Sequence, residues 1–170
     1  KITPEETAEI KANLDEIYRS CMNSFAGFVH SASRKRTFDD SKEERWALYE
    51  KLYHQQGFAK LISNYRDMMT NREANAEFSE FIAEKIRSRV NDPAVAEKLI
   101  PKDHGFGMRR PPMETGYFEA FNRPNVKLVD LHETPIVTIT EQGIETTAGE
   151  QAFDIIVWAT GFDGFTGALT

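Results

Sequence analysis

The chain has 170 residues, of which 40% are hydrophobic and 28% are charged, and its net charge is −6. This composition is typical of a globular protein with one domain or two small ones, and the negative charge argues against a general nucleic-acid surface. No apolar run approaches the roughly 20 residues of a membrane helix, and the acidic N-terminus does not resemble a signal peptide. The only cysteine, Cys21, excludes an internal disulfide and a multi-cysteine metal site. A lone cysteine fits a reducing compartment, so we expect a cytoplasmic protein.

The first hundred residues predict an N-terminal helical bundle. Asp92-Pro93 places a cap before a proline and marks one helix start. A short helix is also expected from Phe58 to about Tyr65. Three further starts place a capping residue three positions before a glutamate, the pattern of a capping box: Thr3-Pro4-Glu5-Glu6, Ser41-Lys42-Glu43-Glu44 and Thr70-Asn71-Arg72-Glu73.

Apolar stripes follow the three capping boxes at spacings of three and four, as expected of amphipathic helices. We expect these stripes to pack on one another. Cys21, on the first stripe, is expected to be a buried small hydrophobe. The stripes are Ile10, Leu14, Ile17, Cys21 and Phe25; Trp46, Tyr49, Leu52 and Tyr53; and Ala74, Phe78, Phe81, Ile82, Ile86 and Val90.

The composition changes near residues 98–103, where the Ala/Glu/Lys-rich pattern gives way to glycine, proline and arginine. Strands are predicted over residues 126–131, 136–140 and 144–147, the last two forming a hairpin. A turn at 148–150 leads to a fourth predicted strand over 154–159, which ends at Thr160-Gly161. A buried strand that ends on a glycine is common in α/β proteins, but it requires neighbours. The fold class expected is therefore α+β: a helical bundle followed by a few strands of an incomplete sheet.

The most informative polar cluster is Arg109-Arg110, held between glycines and prolines. Two adjacent arginines can grip a phosphate or stabilise a developing oxyanion. The alternative is a solvated basic loop, which the residues alone favour. The four histidines show no metal-ligand spacing, so no metal site is expected. The chain has no Gly-x-Gly-x-x-Gly fingerprint, P-loop or nucleophile elbow.

Three motifs resemble those of the Baeyer–Villiger monooxygenases, the flavin enzymes of the cyclohexanone, phenylacetone and steroid monooxygenase type. The helical half is also similar to the helical insertion of that family. The motifs are Arg109-Arg110-Pro111, Thr115-Gly116-Tyr117-Phe118-Glu119-Ala120-Phe121-Asn122-Arg123-Pro124-Asn125-Val126, and Asp154-Ile155-Ile156-Val157-Trp158-Ala159-Thr160-Gly161-Phe162-Asp163.

The resemblance implies a segment of an enzyme in which two Rossmann-type domains, one for FAD and one for NADP, are interleaved. Residues 1–100 would be the helical insertion, 101–158 the returning half of the NADP-binding domain with its β-hairpin, and 159–170 a linker crossing to the FAD domain. The glycine fingerprints would precede Lys1, and the last FAD-binding segment would follow Thr170. We therefore expect the segment alone to be inactive and not to bind FAD.

The resemblance also implies roles for four residues. Arg110 matches a catalytic arginine that stabilises negative charge at the flavin and contacts the nicotinamide cofactor. Arg109 matches a residue that grips the 2′-phosphate of NADP. Thr160 and Gly161 match the linker between the cofactor domains.

The implied reaction uses NADPH and O2 to insert an oxygen atom beside the carbonyl of a small-molecule ketone, giving an ester or lactone. Two alternatives remain open at this point. One is an N- or S-oxidising relative, and the other is a non-enzymatic helical interaction module with a hairpin appended. We expect the isolated segment either to self-associate through exposed strand edges or to leave much of residues 103–170 poorly ordered.

Overall fold

The structure is a computed structural model that describes residues 2–24, 27–55 and 57–161. It divides into two compact units, Lys1–Val126 and Lys127–Thr170. Among the described residues, no helix is long and apolar enough to cross a membrane. The elements of the first unit are α1 (Pro4–Ala12), α2 (Leu14–Met22), a 3-10 turn (Thr37–Asp39), α3 (Lys42–His54), α4 (Ala59–Ile62), α5 (Arg72–Arg89), α6 (Pro93–Leu99) and α7 (Tyr117–Ala120).

The predicted helix starts are confirmed except for the cap of α5. Thr3 and Ser41 form the expected capping boxes, and the Asp92 side chain accepts a hydrogen bond from the backbone of α6. The cap of α5 is Asn71, whose Oδ1 accepts from the N–H groups of the second and third helical residues at 3.0 and 3.3 Å. Thr70 was the wrong choice because its hydroxyl instead donates to the backbone oxygen of Asp67, within the preceding turn.

The first predicted stripe does not form a buried face. The helix is broken at Asn13, whose side-chain nitrogen donates to the Glu9 backbone oxygen at 3.0 Å and so competes with the helical pattern. Neither α1 nor α2 contains a buried residue, and Ile10 is 42% exposed. Cys21 is only partly buried, so its predicted burial was wrong. Phe25 lies outside the described residues.

The core lies between α3 and α5, because the second and third predicted stripes meet there as expected. Tyr49 and Phe78 are completely buried, with ring centroids 4.8 Å apart in an edge-to-face arrangement. Met68 and Tyr65, from the turn before α5, complete this cluster with Phe81. A second cluster joins α5 to α6 and contains Ala83, Ile86, Val90, Ala96 and Ile100.

The composition boundary at 98–103 is not the boundary between the two units. Phe106 packs against the first cluster and Phe118 against the second. Residues 101–126 therefore belong to the unit that contains the helices. The predicted short helix after Phe58 is confirmed but spans only Ala59–Ile62.

The second unit contains a small antiparallel sheet in the order β1-β2-β3, formed by Ile136–Ile139, Gly143–Thr146 and Gly149–Ala152. The predicted hairpin is confirmed as β1 and β2. The segment that forms β3 was predicted to be mainly a turn, but it pairs with β2 in register. Gly143 permits this close approach, because a Cβ there would lie 1.9 Å from the Gln151 backbone oxygen.

The predicted strands at 126–131 and 154–159 were wrong for the described chain, since both segments are irregular. Ile155 and Val157 are 79% and 80% exposed. A run of apolar, β-branched residues becomes a strand only where a neighbour pairs with its backbone. The sheet of the described residues ends at β3, and no further strand pairs with these segments.

Glu77 of α5 ties this helix to α3. Its carboxylate accepts from Nε and Nη2 of Arg45 at 2.7 and 2.6 Å and from the Tyr49 hydroxyl at 3.1 Å. The hydrogen bonds from Arg45 hold the pKa of Glu77 below its ordinary value, and burial raises the pKa of Tyr49. Because the pKa of Glu77 is lower in the folded state, its stabilising effect is complete above the unfolded pKa of about 4.3. That effect is lost as the pH falls.

We predict that Glu77→Gln lowers the free energy of unfolding by about 1–3 kcal/mol near neutral pH. The difference from the parent should shrink below about pH 4, where the parent carboxylate is also protonated. Urea unfolding across this pH range measures both effects. Glu84→Gln, at an exposed position of the same helix, is the matched control. It should change the free energy of unfolding little, both near neutral pH and below about pH 4. A pH-independent difference for Glu77→Gln would contradict the ionic explanation.

Candidate functional site

The predicted arginines lie in residues 107–113, which we call the arginine loop, and the chain is anchored immediately before it. The Phe106 N–H donates to Ser79 Oγ at 2.9 Å, and the Phe106 backbone oxygen accepts from Asn75 Nδ2 at 2.9 Å. Asn75 is 8% exposed and also donates to the Met68 backbone oxygen. The Phe106 ring packs edge-to-face on Phe78 with centroids 4.9 Å apart. The chain entering the loop is therefore fixed by both backbone groups and the side chain of one residue.

Two glycines make this anchor possible. A Cβ at Gly105 would lie 1.8 Å from Asn75 Oδ1, so only glycine allows the chain to approach α5 this closely. Gly107 has φ +77°, which is the left-handed region, and a Cβ there would lie 2.8 Å from the sulfur of Met69. Any larger residue at either position would displace the chain that enters the arginine loop.

A second anchor holds the chain just after the arginine loop. Arg89, near the end of α5, donates to Glu114 at 2.7 and 3.2 Å and to Glu119 at 2.6 and 2.8 Å. Its guanidinium also donates to the Tyr53 hydroxyl and lies 4.9 Å from the ring centroid of Phe118. Hydrogen bonding to Arg89 lowers the pKa of Glu119 to about 2, and it lowers that of Glu114 as well. Both carboxylates therefore stay ionised at neutral pH.

The arginine loop itself presents its cations to solvent. Arg109 and Arg110 are both exposed. Arg109 Nη2 lies 2.8 Å from Asp103 Oδ2, in an ion pair whose side chains are 71% and 63% exposed. His104 Nδ1 lies 2.6 Å from the other Asp103 oxygen, and this hydrogen bond is the largest contribution lowering the pKa of Asp103. Arg110 makes no hydrogen bond or ion pair with any residue in the described ranges, so its guanidinium is available to a ligand.

The other two predicted site residues, Thr160 and Gly161, end the described part of the second unit. Both are exposed and lie in an irregular segment. Gly161 has φ +87°, a conformation that favours glycine. Residues 162–170, the rest of the predicted linker, lie outside the described residues.

Sequence reasoning missed Asn75, Ser79 and Arg89, the residues of α5 that hold the chain on either side of the arginine loop. Asn75 interrupts the apolar stripe between Ala74 and Phe78, and a buried asparagine requires hydrogen-bond partners. Ser79 follows it by four residues, so both side chains lie on one edge of the helix. Two polar residues beside a buried apolar stripe are the signal that the sequence offered. Their partner, Phe106, could not be predicted, because it lies 27 to 31 residues further along the chain.

A surface hollow with a volume of about 400 Å³ lies elsewhere. It does not include the arginine loop. Among residues 2–24, 27–55 and 57–161, no group of three His, Cys, Asp or Glu side chains is placed to hold a metal ion. The residues lining the hollow are Arg36, Arg66, Asp67, Thr70 and Asn71.

We predict that Arg89→Ala releases residues 114–121 from α5. The variant leaves Glu114 and Glu119 without their cation and removes the guanidinium from Tyr53 and Phe118, so the free energy of unfolding should fall. Hydrogen exchange at the Tyr117 N–H, which donates to Glu114 Oε2 at 2.9 Å, should accelerate. Arg87→Ala is the matched control, since Arg87 also lies on α5 and pairs with two glutamates, Glu80 of α5 and Glu97 of α6, neither of which belongs to residues 114–121. Equal hydrogen-exchange rates at the Tyr117 N–H in the two variants would show that Arg89 does not hold residues 114–121 on α5.

Comparison with known proteins shows that the likeness extends over nearly the whole chain. No family model matches the sequence. A cyclopentanone 1,2-monooxygenase from Comamonas sp. is 41% identical over all of this chain, which spans 31% of that protein. A 2-oxo-Δ3-4,5,5-trimethylcyclopentenylacetyl-CoA monooxygenase from Pseudomonas putida is 51% identical over 82% of this chain and 26% of its own length.

The structural likeness agrees with the sequence likeness. The crystal structure of OTEMO in complex with FAD and NADP superposes on 95% of this chain with a TM-score of 0.88 and 42% identity, covering 30% of that structure. The chain thus spans about a third or less of the proteins it matches. The identity, the superposition and the motifs around Arg110 and Thr160 agree, and they show that this chain is a segment of the Baeyer–Villiger monooxygenase family.

Proposed function

We propose that this chain is part of an FAD- and NADPH-dependent monooxygenase that uses O2 to insert one oxygen atom beside a ketone carbonyl, giving an ester or lactone. The observation that carries the proposal is the 41% identity to a cyclopentanone monooxygenase over the entire chain. The likeness to a structure in complex with FAD and NADP supports both cofactors. An N- or S-oxidising activity is the alternative that the experiment below must separate.

We assign residues 1–100 to the helical insertion, 101–158 to the returning half of an NADP-binding domain and 159–170 to the linker towards an FAD domain. In this proposal the strands of the second unit belong to a Rossmann-type sheet. The exposure of Ile155, Val157 and Trp158 supports it, because a run of large apolar side chains is normally covered by further elements of a larger sheet. Gly161, with φ +87°, supports a change of chain direction where the linker begins.

Arg110 would act through its guanidinium. A bound flavin supplies the reaction with O2 and the transfer of one oxygen atom, while the protein supplies orientation and electrostatics. The Arg110 side chain is always charged, and no described residue neutralises it. Its N–H groups can therefore donate to negative charge as it develops at the reacting centre, which is the kind of fixed electrostatic contribution that lowers a barrier most.

Arg109 fits the 2′-phosphate of NADP. Its only described partner is Asp103, in a solvent-exposed ion pair, and such pairs contribute about 1 kcal/mol or less. A dianionic phosphate accepts two hydrogen bonds from the guanidinium fork and can replace that carboxylate. The neighbouring arginines would then have separate tasks, with Arg109 selecting the cofactor and Arg110 serving the chemistry.

The experiment that tests the function uses the full-length enzyme containing this segment. The purified protein should show a flavin absorbance spectrum and consume NADPH when cyclic ketones are added. With ¹⁸O2, one labelled atom should appear in the ester or lactone. Amines and sulfides are tested in parallel, and faster turnover of either without ester formation would favour the alternative. A full-length protein without flavin would overturn the proposal.

We predict that Arg110→Ala in the full-length enzyme lowers kcat about 10²- to 10³-fold, the range for loss of a donor to developing negative charge. Arg109→Ala should instead raise KM for NADPH with little change for NADH, because only NADPH carries the 2′-phosphate. Arg72→Ala, an exposed arginine in the first turn of α5, is the control for loss of charge alone. Steady-state kinetics with both cofactors measures all three, and identical effects at 109 and 110 would contradict the division of tasks.

We also propose that the isolated 170-residue chain self-associates through its second unit. β1 has β2 on one side only, and its Val137 is 60% exposed. Unpaired edges with apolar side chains recruit further strands. Sedimentation velocity should show concentration-dependent association that Val137→Lys reduces, whereas Val29→Lys, at a 52% exposed position in the first unit, should not. A monomer at all concentrations would contradict this.

A further inference from the structure

We propose that Asn75 and Ser79 are positioning residues for the arginine loop and that α5 sets the placement of Arg109 and Arg110 by holding the chain on both sides of them. This inference rests on the proposed function for the roles of the two arginines. The tether itself rests on contacts among described residues only.

The anchor before the loop leaves no freedom at Phe106. Its N–H and its carbonyl are both taken by side chains of one helix. Ser79 Oγ donates to the Asn75 backbone oxygen at 2.7 Å, so its lone pairs are directed at the Phe106 N–H. Asn75 Nδ2 is shared between the Phe106 and Met68 oxygens. These hydrogen bonds are partly buried, and Asn75 is 8% exposed, so leaving one of them unmade is costly.

The position of Phe106 is transmitted to the arginines because the chain between them is short. Arg110 lies four residues beyond Phe106, and two of the positions after the anchor are restricted. Gly107 occupies the left-handed region, and Pro111 disfavours the helical conformation at Arg110. On the far side, Arg89 fixes Glu114. Only the seven residues 107–113 lie between the two anchors.

A purely structural role is the competing explanation, because any buried hydrogen bond on α5 also stabilises the core. The two explanations differ in where a mutation acts. A structural residue weakens the whole unit, whereas a positioning residue loosens residues 107–113 selectively and affects catalysis only through Arg109 and Arg110. Ser79→Ala is a suitable variant because it removes one hydroxyl without changing the helix. Ser88→Ala is its matched control on α5, since the Ser88 hydroxyl donates only to the Lys85 backbone oxygen.

The first test is limited trypsin digestion of the full-length enzyme containing this segment, followed by mass spectrometry. The bond between Arg109 and Arg110 is the site to follow, because the bond between Arg110 and Pro111 resists trypsin. Cleavage reports the population of the open form. Ser79→Ala should accelerate cleavage after Arg109 by about fivefold or more, the factor that the loss of one hydrogen bond represents. Cleavage after Lys85, within α5, is the internal reference and should accelerate less. Equal acceleration at both bonds would show global weakening and overturn the inference.

The second test is a double-mutant cycle in the full-length enzyme. Ser79→Ala should lower kcat and raise KM for NADPH, the same changes expected from losing the two arginines. In an Arg110→Ala background the further loss of kcat should be less than about twofold, because a residue that acts through Arg110 has nothing left to position. Equal losses of kcat in both backgrounds would overturn the inference. Ser88→Ala should leave kcat and KM unchanged in both.

Asn75→Ala gives an independent check, since it releases the Phe106 carbonyl rather than its N–H. It should produce the same preferential cleavage after Arg109. A full-length enzyme that oxidises ketones but is unaffected by either variant would refute the positioning role and leave the proposed function intact. A full-length protein without flavin would refute the proposed function, while preferential cleavage after Arg109 would still establish the tether.

Discussion

The burial of one face of α5 is the constraint on which the first unit depends. Phe78 is completely buried against Tyr49 of α3, and Ile86 and Val90 bury the far end of the same helix against α6. A helix fixed along eighteen residues is a rigid support. Its remaining edge carries Asn75, Ser79 and Arg89, which reach the chain between residues 105 and 119. The core therefore determines where the exposed loop lies.

The arginines of the first unit differ in whether a carboxylate pairs with them. Arg45, Arg87 and Arg89 each form ion pairs with carboxylates at 2.6–2.7 Å. Arg110 is exposed without such a partner among the described residues, in a chain whose net charge is −6. With 27 acidic and 21 basic residues, carboxylates are in excess, so an arginine left unpaired between two anchors is available for an external anion. The pattern agrees with the cofactor role proposed for the loop.

The second unit exposes several large apolar side chains to solvent. Ile155, Val157 and Trp158 are 61–80% exposed, and β1 exposes Val137. Three short strands cannot cover these side chains. In the proposed assignment, the missing cover is the remainder of a nucleotide-binding sheet. The exposure of the Ile155–Trp158 run and the left-handed Gly161 then have one explanation, an unpaired segment that leads into a linker.

The sequence by itself determined the local structure and the identity of the arginines. Capping boxes at Thr3 and Ser41 and the stripe through Phe78 depend on neighbours three or four positions away, and the hairpin of β1 and β2 depends on a short turn. Such contacts are encoded within a few residues. The motifs around Arg110 and Thr160 are also short runs of sequence, and the resemblance to the family rests on them.

Only the tertiary structure decided the features that depend on distant partners. Asn71 replaced Thr70 as a cap because the Thr70 hydroxyl was engaged in the preceding turn. The stripe through Ile10 forms no buried face in α1 or α2, and none of the described strands pairs with the run through Val157. The anchoring of Phe106 by Asn75 and Ser79 spans 27 to 31 residues. No local pattern specifies such a contact, because its free energy arises only when the folded core brings α5 and the loop together.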